Sequence, residues 1–110
     1  MSDVKLLRIY TDEAAYFGDR KVLEVVASRA RDAGLAGATV LEALIGFGRS
    51  AHMHRRHILE SDRAVVVEIV DGEAALRAFA ASLGDVPELG LITLEPVEIL
   101  GGNFAKGRQG

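Results

Sequence analysis

The segment Ala64-Val65-Val66-Val67-Glu68-Ile69-Val70 constrains the fold more than any other part of this 110-residue chain. It is short and rich in β-branched residues, which fit a pleated, buried surface, so it reads as a strand. Alternation places Val65, Val67 and Ile69 on one face and Val66 and Val70 on the other. An antiparallel strand with one solvated face carries polar residues on that side. This strand is apolar on both.

The rest of the chain supplies what such a strand packs against. Residues 4–11 read as a strand, and residues 20–33 as a helix with Val22, Val25, Val26 and Ala30 on one face. Asp19 is its expected N-cap and Gly34 its expected stop. Residues 38–47 read as a second strand. A second helix spans 73–83, with Asp71 as cap, Leu76, Phe79, Ala80 and Leu83 on one face, and Gly84 at its end. Residues 91–100 form the last strand. Strand-helix-strand, twice, specifies an α+β, ferredoxin-like βαββαβ sandwich with a four-stranded antiparallel sheet. Right-handed crossovers put both helices on one side of it. The first and third strands are then central and the last is an edge, where Pro96 and its missing N–H are tolerated.

The helices leave the other side of the sheet open, yet the strands are apolar there too. Leu7 and Ile9 oppose Leu6 and Tyr10; Leu41, Ala43, Ile45 and Phe47 oppose Val40 and Leu44. An open apolar face of this extent predicts an obligate homo-oligomer that buries it. Arg8, Glu42 and Glu68 are expected on that face, with Arg8 pairing Glu68 across the two central strands. The alternative puts these charges at the sheet's wet margin.

Composition removes several classes of function. Hydrophobic residues make up 49%, which excludes a disordered chain. The net charge of -3 argues against a nucleic-acid or anionic-membrane binder. The chain has no cysteine, hence no disulfides and no thiolate chemistry. Met1-Ser2-Asp3-Val4-Lys5 lacks the apolar region of a signal peptide, and no run reaches the roughly 20 residues of a membrane span. A soluble, cytoplasmic protein without membrane insertion is expected. No serine has a nucleophile's context and no carboxylate pair stands out, so a binding or signalling module is expected rather than an enzyme. No cofactor is assigned.

One stretch runs against the acidic balance. Gly46-Phe47-Gly48-Arg49-Ser50-Ala51-His52-Met53-His54-Arg55-Arg56-His57 holds all three histidines and three arginines. Guanidinium forks match phosphate and carboxylate oxygens, and histidine adds charge as pH falls. Gly46 and Gly48 permit close approach of a ligand or a nest of N–H groups around an anion. A small anionic ligand therefore fits Gly46, Gly48, Arg49, His52, Arg55, Arg56 and His57. Two alternatives stand beside it. His52, His54 and His57 could hold zinc or copper, although neighbouring arginines repel a dication. The plainer alternative is a solvated loop whose charges only keep it soluble.

Gly34-Leu35-Ala36-Gly37-Ala38-Thr39-Val40, Gly46-Phe47-Gly48, a histidine in the loop and Val65-Val66-Val67-Glu68-Ile69-Val70-Asp71 together resemble one family. It is the PII-like family of domains of unknown function numbered one hundred and ninety. Leu6-Leu7-Arg8-Ile9-Tyr10 and Gly90-Leu91-Ile92-Thr93-Leu94-Glu95 also look like that family. The resemblance implies one PII-like domain over residues 1–100, followed by a glycine-rich tail, 101–110. It implies a homotrimer similar to PII signal proteins and CutA. It further implies a nucleotide or other anionic metabolite, with an adenine nucleotide the specific candidate, bound between subunits near the base of loop 48–60. That loop would contact a membrane transporter or an enzyme. Relatives are often encoded beside fluoride-channel proteins, which implies, as another alternative, an adaptor in ion (fluoride) homeostasis. The chain departs from PII proteins at Gly84-Asp85-Val86-Pro87-Glu88-Leu89-Gly90, which is acidic and lacks the lysine of their phosphate-gripping loop. It also lacks the loop tyrosine that some of them modify.

Overall fold

In the computed structural model, which describes residues 3–42 and 64–102, the longest strands are β1 (Val4–Asp12) and β5 (Ala64–Gly72). Between them lie a two-residue hairpin, β2 (Tyr16–Phe17) and β3 (Arg20–Lys21), then α1 (Val22–Asp32) and β4 (Thr39–Glu42). After β5 come α2 (Glu73–Ala81) and β6 (Ile92–Pro96). The four-stranded sheet runs β4-β5-β1-β6, antiparallel throughout, which is the expected ferredoxin-like α+β order. β1 and β5 are central, and Pro96 lies on the edge strand opposite Lys5.

The core forms where alternation predicts it. Leu7, Ile9, Val67 and Ile69 are buried against Val22, Val25, Val26 and Ala30 of α1 and Leu76 and Phe79 of α2. Burying each large aliphatic side chain contributes about 1.5–3 kcal/mol. Leu83 and Val86 close the core beyond α2. Among the described residues, no helix is long and apolar enough to cross a membrane.

Both expected side-chain caps give way to longer-range bonds. α1 starts at Val22 rather than at residue 20, with Lys21 as N-cap, and Asp19 makes no cap bond. Asp19 instead follows Gly18 at the tip of the hairpin. Gly18 has φ +68, as a turn with glycine first demands. The Val22 N–H, an orphan donor in an isolated helix, donates to the Ala15 carbonyl at 2.9 Å. Likewise α2 has Gly72 as N-cap, and the Glu73 N–H donates to the Asp3 carbonyl at 2.9 Å. Asp71, expected as that cap, is the penultimate residue of β5.

The helix ends divide. Gly34, at φ +78, closes α1 as expected. The Leu35 N–H reaches the Ala30 carbonyl at 3.2 Å and the Gly34 N–H the Arg31 carbonyl at 3.0 Å, a Schellman pair. α2 stops earlier, at Ala81 with Ser82 as C-cap, and Gly84 does not enter the left-handed region. The last strand is also shorter than expected, five residues against the ten of 91–100. Of the expected strand 38–47, Thr39–Glu42 forms a strand, Ala38 precedes it, and residues 43–47 lie outside the described residues.

Candidate functional site

The sheet face turned away from the helices is built from three cross-strand rows. Thr39, Glu68, Arg8 and Thr93 form the middle row, Leu41, Val66 and Tyr10 the row on one side, and Val70, Leu6 and Glu95 the row on the other. Leu41 is 45% exposed and Leu91, next to the face, 63%. The second apolar face expected from alternation is therefore present.

At its centre Arg8 holds two carboxylates. Its Nε donates to Glu68 Oε2 at 2.9 Å and its Nη1 to Glu95 Oε1 at 2.9 Å. The Glu68 hydrogen bond raises the guanidinium pKa further above its ordinary value, with Glu95 adding to it. The Arg8–Glu68 pair is as expected, since the two residues are register partners. Glu95 is a third member that sequence reading missed; strand parity and register place it one row away, opposite Leu6. Glu42 is the correction. It pairs in register with buried Val65, which puts it on the helix side. A strand's register cannot be read from its own sequence, and one residue of slip exchanges its faces.

The strands β4 and β5 also lead to the basic stretch. Glu42 and Ala64 are the described residues on either side of it, at the sheet end where β1 finishes in Thr11 and Asp12. The chain ahead of β6 is stitched to that end. Thr11 Oγ1 donates to the Glu88 carbonyl at 2.9 Å, the Gly90 N–H to the Tyr10 carbonyl at 2.6 Å, and the Tyr10 N–H to the Leu91 carbonyl at 2.9 Å. A Cβ on Gly90 would sit 3.3 Å from the Tyr10 oxygen, so glycine suits this close approach. Glu88 takes φ +60, an uncommon conformation for a residue with a side chain. Asp12, Glu42 and Glu88 lie at this rim, and Glu13 beside them pairs with Lys21 at 3.9 Å.

Gly46, Gly48, Arg49, His52, Arg55, Arg56 and His57, the expected anion ligands, lie outside the described residues. So do His52, His54 and His57 as the alternative metal ligands. Among the described residues no three metal-ligating side chains gather. An open groove of about 510 Å³ runs beside α1, lined by Arg20, Glu24, Ser28, Arg31, Leu35 and Gly37. Its two arginines are offset by Glu24 and by Asp32, 3.9 Å from Arg31, so it carries no net positive charge.

A second arginine ties the layers together. Arg29 of α1 makes a two-pronged pair with Asp85, Nη1 to Oδ1 and Nη2 to Oδ2 at 2.8 Å each, and its guanidinium lies 6.0 Å from the centre of the Phe17 ring. The Arg29 hydrogen bonds hold the Asp85 carboxyl at about 2, below its ordinary 3.8. A carboxylate with a depressed folded pKa stabilises the fold above its unfolded pKa and loses that contribution as pH falls through the folded one. Urea midpoints should therefore drop between about pH 4 and about pH 2, and Asp85→Asn should flatten that part of the profile. An equal slope in the variant would show that the pair carries no pH-dependent stability.

Comparison with known proteins agrees with this architecture. The family model DUF190, described as uncharacterized ACR, matches residues 4–99. The UPF0166 protein of Aquifex aeolicus (strain VF5) is 39% identical over 98 residues, covering 87% of this chain and 92% of that protein. The structure of CPII bound to ADP, AMP and acetate, from Thiomonas intermedia K12, superposes with a TM-score of 0.65 at 18% identity, covering 91% of this chain and 90% of that one. The fold is therefore PII-like. With the family model spanning both helices and all four strands of the main sheet, the chain belongs to the DUF190 family.

Proposed function

We propose that this chain is a trimeric PII-like regulator. It binds a small anionic ligand, specifically an adenine nucleotide, in clefts between subunits. It then acts on a partner, a transporter or an enzyme, through residues 48–60. The observation that carries the reading is the uncovered apolar sheet face, whose strands β4 and β5 lead to the arginine-bearing stretch. Copies that close on this face bring those stretches together at the subunit boundaries. ADP and AMP, the nucleotides bound to CPII, are the first ligands to test. Gly46, Gly48, Arg49, His52, Arg55, Arg56 and His57 would contact the anion, and neutralising the arginines would shift the stretch between partner-binding and partner-releasing states. The reading is of a binding protein acting from the cytoplasm, not of an enzyme.

A thermal-shift panel tests it, with AMP, ADP, ATP, cyclic nucleotides, phosphate, fluoride, zinc and copper, alongside light scattering for subunit number. A ligand at 100 times its Kd stabilises by about 2.7 kcal/mol, a shift of several degrees at this size. AMP or ADP is expected to give that shift. Replacing Arg55 and Arg56 together by alanine should abolish it and leave the trimer intact. Unchanged affinity in the double variant would sink the site assignment. A response to zinc or copper alone would replace this reading with a CutA-like metal protein.

A further inference from the structure

We infer that burying the open sheet face between copies of this chain takes up protons, with Arg8, Glu68 and Glu95 as the linked group. The inference rests on the reading above that this face is the subunit contact. Arg8 is the one cation that the described strands place on the face, and it holds both carboxylates at 2.9 Å. One positive charge stands against two negative ones, so each protomer brings an excess negative charge to the contact. While the face is open, water solvates that excess, and the Glu95 side chain is half exposed. Closing the face removes the water and disfavours a charge without its own partner.

Symmetric association does not cure this, because every copy brings the same group with the same sign. Among the described residues, the others facing the cluster offer no cation. They are Tyr10 and Leu6 on β1, Val66 and Val70 on β5, Thr39 and Leu41 on β4, and Thr93 on β6. Lys5, the nearest lysine in sequence, has the opposite parity on β1 and pairs with Glu73 at 3.6 Å. A proton on the Glu95 carboxyl removes the excess and leaves a matched Arg8–Glu68 pair. Glu95 is the member to protonate, because it sits on the edge strand and is the more exposed of the two carboxylates.

The test is the strength of association against pH for the full chain and for Glu95→Gln, read by light scattering during urea-induced dissociation. The wild-type assembly should tighten by up to about tenfold per pH unit for each proton taken up as pH falls. Glu95→Gln should hold together at pH 8 as tightly as the wild type does at the acid end of its profile, and its own profile should be flat. Glu68→Gln, on a central strand, serves as a second variant should the first not fold, with the same flattening expected. The histidines are intact in both variants. A pH dependence that persists unchanged in them belongs to those histidines and overturns the inference, as does a wild-type profile already flat. A chain that stays monomeric at every pH overturns the trimer reading itself.

Discussion

Replacing Leu76 by alanine should lower the stability of the folded chain by about 2–5 kcal/mol, the cost of deleting a buried leucine and leaving a cavity. Leu76 is wholly buried where α2 packs on the sheet, between Phe79 on its own helix and the β1–β5 residues beneath. α2 is only nine residues long, below the length at which a helix persists alone, so its order depends on that contact. The urea midpoint should fall by about 2 M if the slope is near 1.5 kcal/mol/M. Ala78→Ser, on the exposed side of the same helix, should stay within about 0.5 kcal/mol. Equal effects at the two positions would mean that α2 does not present this face to the sheet.

Asp71→Ala should cost nearly as much, for an electrostatic reason. The carboxylate is 2% exposed, and it accepts from the Ala36 N–H through Oδ2 at 2.8 Å and from the Gly72 N–H through Oδ1 at 2.7 Å. Removing it strands two amide donors, at about 1–3 kcal/mol each where water cannot replace the acceptor. Ala36 follows the Schellman turn of α1 and leads into β4, so the bond fixes where β4 meets β5. Amide hydrogen exchange at Ala36 should accelerate in the variant beyond the change in global stability. Asp71→Asn, which keeps one acceptor oxygen, should fall between. An Ala36 amide that exchanges freely in the wild type would refute the clamp.

Asp71 also shows where the sequence is readable and where it is not. Residues 64–70 announce a strand, and acid before a helical pattern ordinarily signals a cap. That inference is local, whereas the outcome is decided by Asp3 and Ala36, neither of which a window around residue 71 contains. Asp19 fails for the same reason, because the Ala15 carbonyl satisfies the donor a cap would serve. Patterns that depend on period alone survive into the structure: the two helix faces and the two-sided sheet. The Arg8–Glu68 pair survives because the topology makes β1 and β5 neighbours and their register aligns the two residues. Other patterns that depend on register or on distant partners do not. Glu42 changes sides, and Arg29–Asp85 joins residues 56 apart with no sequence signal. The arginine–histidine stretch is conspicuous in the sequence and lies outside the described residues, between Glu42 and Ala64.

The excursion between β1 and α1 has a practical consequence. It is sealed at its base by main-chain bonds from Ala15 to Asp12 and from Val22 to Ala15, and it rests on α1 through Phe17 and Arg29. Its tip, Gly18-Asp19, is exposed and belongs to the helical layer. Lengthening a closed loop costs only about 0.6 kcal/mol per doubling. A fluorophore or short peptide grafted at that tip would therefore ride on the back of the molecule, leaving the open face of the sheet free to be watched as it assembles.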